Sequence, residues 1–187
     1  MDRFRFNERY QEYRHLRSGV PVLLRLIRAS DGPTLLDGFR RLSPQSRYRR
    51  FLAYRRTLSP AEIDRFTRCD GLNHFALGAL IYRRGQNREG IGVARFVRMA
   101  EDPAAAEVAV TVIDDYQGQG LGKLLLARLL SAAAERGIRE LRSAVLADNT
   151  PMLALARSFG AAELDTDGRG VVDIVVPVVS GRARQLA

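Results

Sequence analysis

The segment that most constrains the fold covers residues 110–126 and has the sequence VTVIDDYQGQGLGKLLL. Its β-branched start predicts a strand, its glycines at positions 118, 120 and 122 predict a turn, and the apolar spacing that follows predicts a helix. The first turn of such a helix has unpaired backbone N–H groups, and glycines let an anion approach them closely. The sequence therefore predicts a diphosphate-binding turn in an α/β protein.

The spacing of these residues excludes two other phosphate-binding motifs. A P-loop requires glycine where Gln117 stands and a hydroxyl residue where Leu124 stands. The dinucleotide-binding fingerprint requires a third glycine at the position of Lys123 or of Leu125. Two alternatives stay open: the turn simply begins a helix, and Lys123 lies in solvent rather than beside a phosphate.

The rest of the chain is predicted to alternate strands and helices. Strands are predicted at residues 20–27, 75–82, 90–97, 107–113, 140–146 and 171–176. Helices are predicted at residues 33–42, 47–54, 59–68, 120–136 and 151–159, and a hairpin connection at residues 83–87. We predict an N-terminal extension at residues 1–18, a single domain at residues 19–179 and a flexible C-terminal tail at residues 180–187.

The composition is basic, with 30 Lys and Arg residues against 21 Asp and Glu residues and a net charge of +9. Nucleic acid is not expected as the main partner, because the chain has no zinc-finger spacing, RNP-like aromatic motif or heptad zipper. No apolar run is long enough for a membrane helix, and the charged N-terminal residues lack the apolar segment of a signal peptide. We therefore expect a cytoplasmic protein without a membrane partner. The single cysteine, Cys69, excludes an internal disulfide, and no metal site is expected.

Residues 117–122, with the sequence QGQGLG, resemble the acetyl-CoA signature Gln-x-x-Gly-x-Gly of the GNAT superfamily of N-acetyltransferases. The order of predicted elements over residues 19–177 is also similar to that of the superfamily. The resemblance implies an α/β (α+β) protein with the GNAT fold. In that fold a central mixed, mostly antiparallel sheet of about 6–7 strands is flanked by helices and splayed at the acetyl-CoA site. It also implies acetyl-CoA as the cofactor and coenzyme A as the product.

The same resemblance implies which residues bind the cofactor. The backbone of the strand before the turn is implied to hold the pantetheine arm, through Val110, Thr111 and Val112. The turn and the helix start are implied to hold the pyrophosphate, through Gln117, Gly118, Gln119, Gly120, Leu121, Gly122 and Lys123. Asn149 matches a second cofactor-binding position, although a helix cap before Pro151 is the alternative for this side chain.

Four segments together resemble the catalytic domain of Pat-type protein lysine acetyltransferases: RLSPQSRYRRF at 41–51, AEVA at 106–109, YQGQGLG at 116–122 and DNTPM at 148–152. This resemblance implies that Glu107 is the general base. Period-2 alternation places Glu107 on one face with Ala109 and Thr111, whose small side chains leave space for a substrate. The alternative is a solvated glutamate at a strand start. The tyrosine that many GNAT enzymes use as general acid is matched by Ala156, so no general acid is assigned.

The expected reaction is transfer of an acetyl group from acetyl-CoA to a primary amine, with a protein lysine Nε as the leading acceptor. The expected partners are acetyl-CoA and an amine substrate, which can be an acidic protein or a metabolic enzyme, and a homodimer is left open. Acetylation of a small amine or of a protein N-terminus is one alternative. A non-catalytic acyl-CoA sensor is another.

Overall fold

A single twisted sheet organises the protein, whose computed structural model describes residues 4–82, 88–165 and 170–179. Within these residues the sheet has eight strands: β1 (Gln11–His15), β2 (Pro21–Leu26), β3 (His74–Tyr82), β4 (Arg88–Arg98), β5 (Ala105–Val112), β6 (Glu140–Leu146), β7 (Ala162–Asp165) and β8 (Val171–Pro177). The described helices are α1 (Gly32–Arg40), α2 (Pro44–Phe51), α3 (Pro60–Thr67), α4 (Leu121–Glu135) and α5 (Thr150–Arg157). Short 3₁₀ turns occupy Ala29–Asp31 and Asp114–Tyr116.

The strand order is β1-β2-β3-β4-β5-β6-β8-β7, and every neighbouring pair is antiparallel except β5 and β6. The predicted mixed, mostly antiparallel sheet is therefore confirmed. The parallel pair extends over only three residues of β5, Ala105 to Glu107. The backbone of residues 108–112 has β4 on one side and no described strand on the other. The sheet is thus splayed where the sequence predicted a cofactor.

Eight described strands exceed the predicted 6–7, because neither β1 nor β7 was expected. β1 has the sequence QEYRH and exposes four of its five side chains at a sheet edge, so it lacks the apolar alternation of a half-buried strand. β7 has only four residues. Edge position and backbone pairing, rather than side-chain pattern, make these segments strands.

The segment predicted as an N-terminal extension packs within the same sheet and core over its described part. β1 pairs with β2 through five residue pairs, and Phe6 and Tyr10 are buried in the main hydrophobic cluster. Residues 4–18 therefore belong to the same sheet and hydrophobic core as the residues that follow them. The predicted hairpin at residues 83–87 and the predicted tail at residues 180–187 lie outside the described residues.

Helices cover both faces of the sheet. On one face α4 buries a continuous apolar surface that includes Leu125, Leu126 and Leu129, each with no exposed surface. Burying one such leucine contributes about 1.5–3 kcal/mol. On the other face α1, α2 and α3 close over a smaller cluster centred on Phe39 and Ile113. None of the described helices is long and apolar enough to cross a lipid bilayer.

Local sequence explains where the helices begin. Ser43 precedes Pro44 and accepts a hydrogen bond from the backbone N–H of Ser46, so α2 begins three residues before its predicted start. Ser59 and Glu62 form a capping box at the start of α3. The end of α2 lies three residues before its predicted position, and the other boundaries agree with those predicted to within two residues.

Candidate cofactor cleft and acceptor site

The predicted site lies in a cleft of about 490 Å³ between the diverging ends of β5 and β6. Its floor is β5, and one wall is formed by α2. The opposite wall is formed by β6 and the start of α5, and the glycine turn closes the end. The following predicted site residues line it: Glu107, Val110, Thr111, Val112, Gln117, Gly118, Gly120, Gly122, Lys123 and Asn149. The structure thus brings ten of the twelve predicted site residues to one cleft.

Two predicted residues do not line the cleft with their side chains. Leu121 is only 1% exposed and packs in the main core, so only its backbone stands at the helix start. The side chain of Gln119 points to the loops beside the turn, where it accepts a hydrogen bond from Ser18 Oγ (2.5 Å) and donates one to the carbonyl of Asp115 (3.0 Å).

The glycine turn has the backbone geometry that an anion site needs. Gly118 and Gly120 adopt left-handed conformations, with φ of +70° and +89°, which side-chain-bearing residues rarely adopt. A Cβ at Gly118 would meet no atom within 4 Å, so the turn faces open space. Gly120 is the N-cap of α4, a helix of 15 residues, and the helix dipole there favours negative charge. The turn therefore fits a pyrophosphate.

Gln117 and Asn149 each have a defined hydrogen-bonding role at the cleft. Gln117 Nε2 donates to the carbonyl of Val112 (3.0 Å), which links the turn back to β5. The side chain of Asn149 accepts from the backbone N–H of Met152 (3.4 Å) and caps α5. The capping alternative for Asn149 is therefore confirmed, and the same residue also lines the cleft.

Asp114 holds α2 against the cleft. Its carboxylate accepts hydrogen bonds from the Ser43 backbone N–H (3.0 Å), the Ser43 hydroxyl (2.7 Å) and the Ser46 hydroxyl (2.8 Å). Burial alone would raise the pKa of Asp114, but these hydrogen bonds favour the charged form and lower it. Since Asp114 lies on the loop between β5 and the glycine turn, the three contacts fix α2 relative to the predicted pyrophosphate site.

Arg49, which lines the cleft, and Arg17, which lies beside the glycine turn, were not identified from the sequence. Arg49 of α2 donates to the carbonyl of Asp148 (3.3 Å) and so connects the two walls. Arg17, in the turn between β1 and β2, directs Nη1 to the carbonyl of Gly118 (3.5 Å), and its backbone N–H donates to the carbonyl of Gln119 (3.3 Å). Sequence alone gave no signal for them, because both contacts join segments about 100 residues apart.

Glu107 lies at the mouth of the cleft. Its side chain is exposed, and it also lines an outer groove formed by β4, β6 and β8. Within the residues that the structure describes, its carboxylate forms no hydrogen bond and no ion pair. Ala106 and Val108 point into the core on the other face of β5, so alternation turns Glu107 towards the face that α2 covers. A carboxylate in this position is able to accept a proton.

Other reactive groups do not contribute to the cleft. Burial raises the pKa of the Cys69 thiol, which therefore stays protonated at neutral pH. Tyr116 packs against both hydrophobic clusters. Ala156 is fully buried and supplies no acid. No group of three His, Cys, Asp or Glu residues within the described ranges has the geometry to hold a metal ion.

Comparison with known proteins agrees with this geometry. The profile of the acetyltransferase (GNAT) family matches residues 43–161. Acetyltransferase PA5475 of Pseudomonas aeruginosa is 35% identical over 145 residues, which cover 78% of this chain and 77% of the relative. Acetyltransferase Pat of Mycolicibacterium smegmatis is 32% identical over 165 residues, which cover 88% of this chain and 48% of the relative. The chain thus spans about half the length of that second protein.

Among solved structures, the GNAT domain of PAT from S. lividans superposes with a TM-score of 0.80 and 31% identity. The match covers 89% of this chain and 96% of that domain. A family profile that matches most of the chain, a relative that is similar over most of both lengths and a close structural superposition lead to one conclusion. The chain belongs to the acetyltransferase (GNAT) family and is an acetyl-CoA-dependent acyltransferase.

Proposed function

We propose that the protein transfers the acetyl group of acetyl-CoA directly to a primary amine, with Glu107 as the general base and a protein lysine Nε as the acceptor. The observation that carries the proposal is the position of Glu107. Its unpaired carboxylate lies at the mouth of the cofactor cleft and also faces the outer groove. An amine that enters from the groove therefore meets the base before it meets the cleft.

The cofactor half of the site is supported by the backbone. Acetyl-CoA supplies an activated thioester when it is bound. The amides of the turn at Gly118, Gly120 and Gly122 hold the pyrophosphate, with Lys123 beside them at the helix start. Residues 108–112 lack a neighbouring described strand on the cleft side, so their backbone groups can pair with the pantetheine arm as an added strand does.

The acceptor half depends on side chains of β5. Glu107 removes a proton from the ammonium group, because only the neutral amine is a nucleophile. Ala109 and Thr111 leave space beside it for the amine. A backbone N–H near Val112 stabilises the negative charge that develops on the carbonyl oxygen. The coenzyme A thiolate is a stable leaving group near neutral pH, so no general acid is assigned.

The outer groove supports a polypeptide acceptor. It has a volume of about 730 Å³ and is open to solvent. Besides Glu107 it contains the carboxylates of Glu101, Glu140 and Asp173 against the guanidinium groups of Arg98 and Arg142. The excess of negative charge attracts a lysine ammonium group, and exposed Val97 and Leu164 offer apolar contacts to neighbouring residues. The cytoplasmic location and the homodimer considered from the sequence remain proposals.

The test separates acceptor classes by matched substrates. Purified protein is incubated with acetyl-CoA and one of three acceptors, and the free thiol is followed while mass spectrometry locates the acetyl group. The acceptors are a lysine peptide with a blocked N-terminus, the same peptide with arginine for lysine and a free N-terminus, and a small polyamine. We expect transfer to the first peptide only. Thermal stabilisation by acetyl-CoA without thiol release from any acceptor would favour a sensor and contradict the proposal.

A further inference from the structure

A second cavity, of about 90 Å³, lies between the sheet and helices α1, α2 and α3. Most of its lining is apolar and includes Phe39, Phe66 and Leu80. Arg50, Phe51 and Thr111 line both this cavity and the cofactor cleft. The cavity therefore adjoins the place where the accepting amine must lie, and we call it the inner cavity.

Two arginines in the inner cavity have no acidic partner. Arg95 is 6% exposed, donates to the carbonyl of Phe66 (3.2 Å) and lies 3.4 Å from His74 Nε2. Arg50 extends from α2, with its guanidinium 4.9 Å from the ring centre of Phe51. Neither guanidinium forms an ion pair with any carboxylate of residues 4–82, 88–165 and 170–179.

A third arginine that lines the same cavity does have an acidic partner. Arg25 is also buried, but both of its terminal nitrogens donate to the carboxylate of Asp31, each at 2.7 Å. This bidentate geometry is the one that a guanidinium prefers with a carboxylate. The lining of the inner cavity thus contains one arginine–aspartate ion pair and two arginines without an acidic partner.

The unbalanced charges are unfavourable without a ligand. Burial, together with the nearby charge of Arg50, lowers the pKa of Arg95 to about 10. Burial also lowers the pKa of Arg50, which the more distant carboxylate of Glu107 only partly opposes. Both groups keep their charge, because a guanidinium is not deprotonated in proteins. Arg95 is buried and Arg50 is half-buried. Since a buried charge is normally paired, the inner cavity is suited to an anion that comes from outside the chain.

We propose that Arg50 and Arg95 bind a carboxylate that the acceptor carries beside the amine to be acetylated. The inference rests on the proposed function and assigns the acceptor class of the same site. A volume of about 90 Å³ accommodates a few water molecules, so it fits a carboxylate on a short apolar stem and is too small for a coenzyme. An acidic residue next to the acceptor lysine and the α-carboxylate of a free amino acid supply the same chemistry.

The first experiment compares acceptors that differ by one carboxylate. Blocked lysine peptides carry glutamate or glutamine next to the lysine, and free lysine is compared with cadaverine, which lacks the α-carboxylate. We expect the wild-type kcat/KM to be about tenfold or more higher for the carboxylate-bearing member of at least one pair, as expected for a hydrogen-bonded charge. The pair that shows the preference identifies the source of the carboxylate. Equal kcat/KM within both pairs would overturn the proposal.

The second experiment removes the site. In Arg95→Gln we expect equal kcat/KM for the two members of the acceptor pair. The matched surface variant Arg56→Gln should keep the wild-type preference for the carboxylate-bearing member, since Arg56 is exposed and lies outside the cavity. A purely structural role of Arg95 would lower kcat/KM for both members of a pair equally and leave their ratio unchanged. Melting temperatures and the KM for acetyl-CoA show whether each variant is folded. Arg95→Lys tests whether a positive charge alone restores the ratio of the two kcat/KM values. A preference that persists in folded Arg95→Gln would contradict the proposal.

A binding measurement keeps the inference separate from the proposed function. If no amine is acetylated, the proposed function fails, and thermal shift with sodium butyrate against sodium chloride of equal ionic strength tests the anion site directly. At about ten times its dissociation constant, butyrate should raise the wild-type melting temperature by about 3 °C or more. It should not stabilise Arg95→Gln. The absence of a butyrate shift in the wild-type protein would reject the anion site.

Discussion

Glu107 is the last residue of β5 that pairs with β6, and its partner in that last pair is Arg142. Arg142 does not neutralise Glu107, because its guanidinium donates to Glu140 (2.6 Å) and to Asp102 (2.8 Å). The backbone of Glu107 is thus held on both sides by the sheet while its carboxylate stays available. A rigid backbone with an accessible side chain is what positioning of a general base requires.

Glu107→Gln should separate chemistry from cofactor binding. Glutamine keeps the shape of the side chain but cannot accept the proton, so we expect kcat to fall by about a hundredfold or more. Stabilisation by acetyl-CoA in a thermal shift should be unchanged. The control is Glu101→Gln, a carboxylate of the outer groove outside the cofactor cleft, assayed at saturating peptide. Turnover that survives in Glu107→Gln at neutral pH would remove Glu107 from the reaction.

Gly120→Ala should weaken cofactor binding beyond its effect on stability. The matched control is Gly137→Ala, because Gly137 also has a positive φ (+72°, against +89° at Gly120) but follows the far end of α4. Each substitution should lower the free energy of unfolding by about 1 kcal/mol, the cost of a Cβ in a left-handed conformation. Only Gly120→Ala should raise the dissociation constant of acetyl-CoA, measured by calorimetry. Similar affinities in the two variants would contradict a pyrophosphate at this turn.

The strand, turn and helix around the proposed cofactor site were predictable because their signal is local. One continuous segment encodes a strand, a turn that needs positive φ and an apolar helix face, and the structure has all three. The predicted strand at residues 140–146 agrees with β6 at both ends. The contacts of Arg17, Arg50 and Arg95 were not predictable, because each depends on segments that are distant in the sequence. An arginine can lie in solvent or be buried without an acidic partner. The residue type alone does not show which of the two holds.

Glu12→Gln should reveal that β1 stabilises the fold. Glu12 accepts hydrogen bonds from Arg128 Nε and Nη2, both at 2.7 Å, and from the hydroxyl of Tyr10. Burial alone would raise the pKa of Glu12, but the hydrogen bonds from Arg128 and Tyr10 outweigh it and hold the pKa at about 2. Compared with the ordinary value of 4.5, this lowered pKa corresponds to roughly 3 kcal/mol of stability at neutral pH.

The sign of this effect predicts its pH dependence. Because the folded pKa is the lower one, the stabilisation is present above the unfolded pKa of about 4.5 and is lost as the pH falls towards about 2. Urea unfolding should therefore show wild type more stable than Glu12→Gln at pH 7 and the two curves converging in acid. A constant difference from neutral to acid pH would show that the contribution of Glu12 is not electrostatic.

Arg17→Gln should test whether the turn between β1 and β2 belongs to the cofactor site. Arg17 is exposed and lies beside the glycine turn, with its Nε 3.9 Å from the position of a Cβ on Gly120. Its charge should attract the phosphates, so we expect the KM for acetyl-CoA to rise about threefold to tenfold at low salt. Screening by salt should shrink this difference, whereas Arg9→Gln, which removes an exposed charge elsewhere in the N-terminal segment, should leave the KM unchanged at every ionic strength. Equal KM values for wild type and Arg17→Gln at low salt would show that Arg17 only connects the two turns.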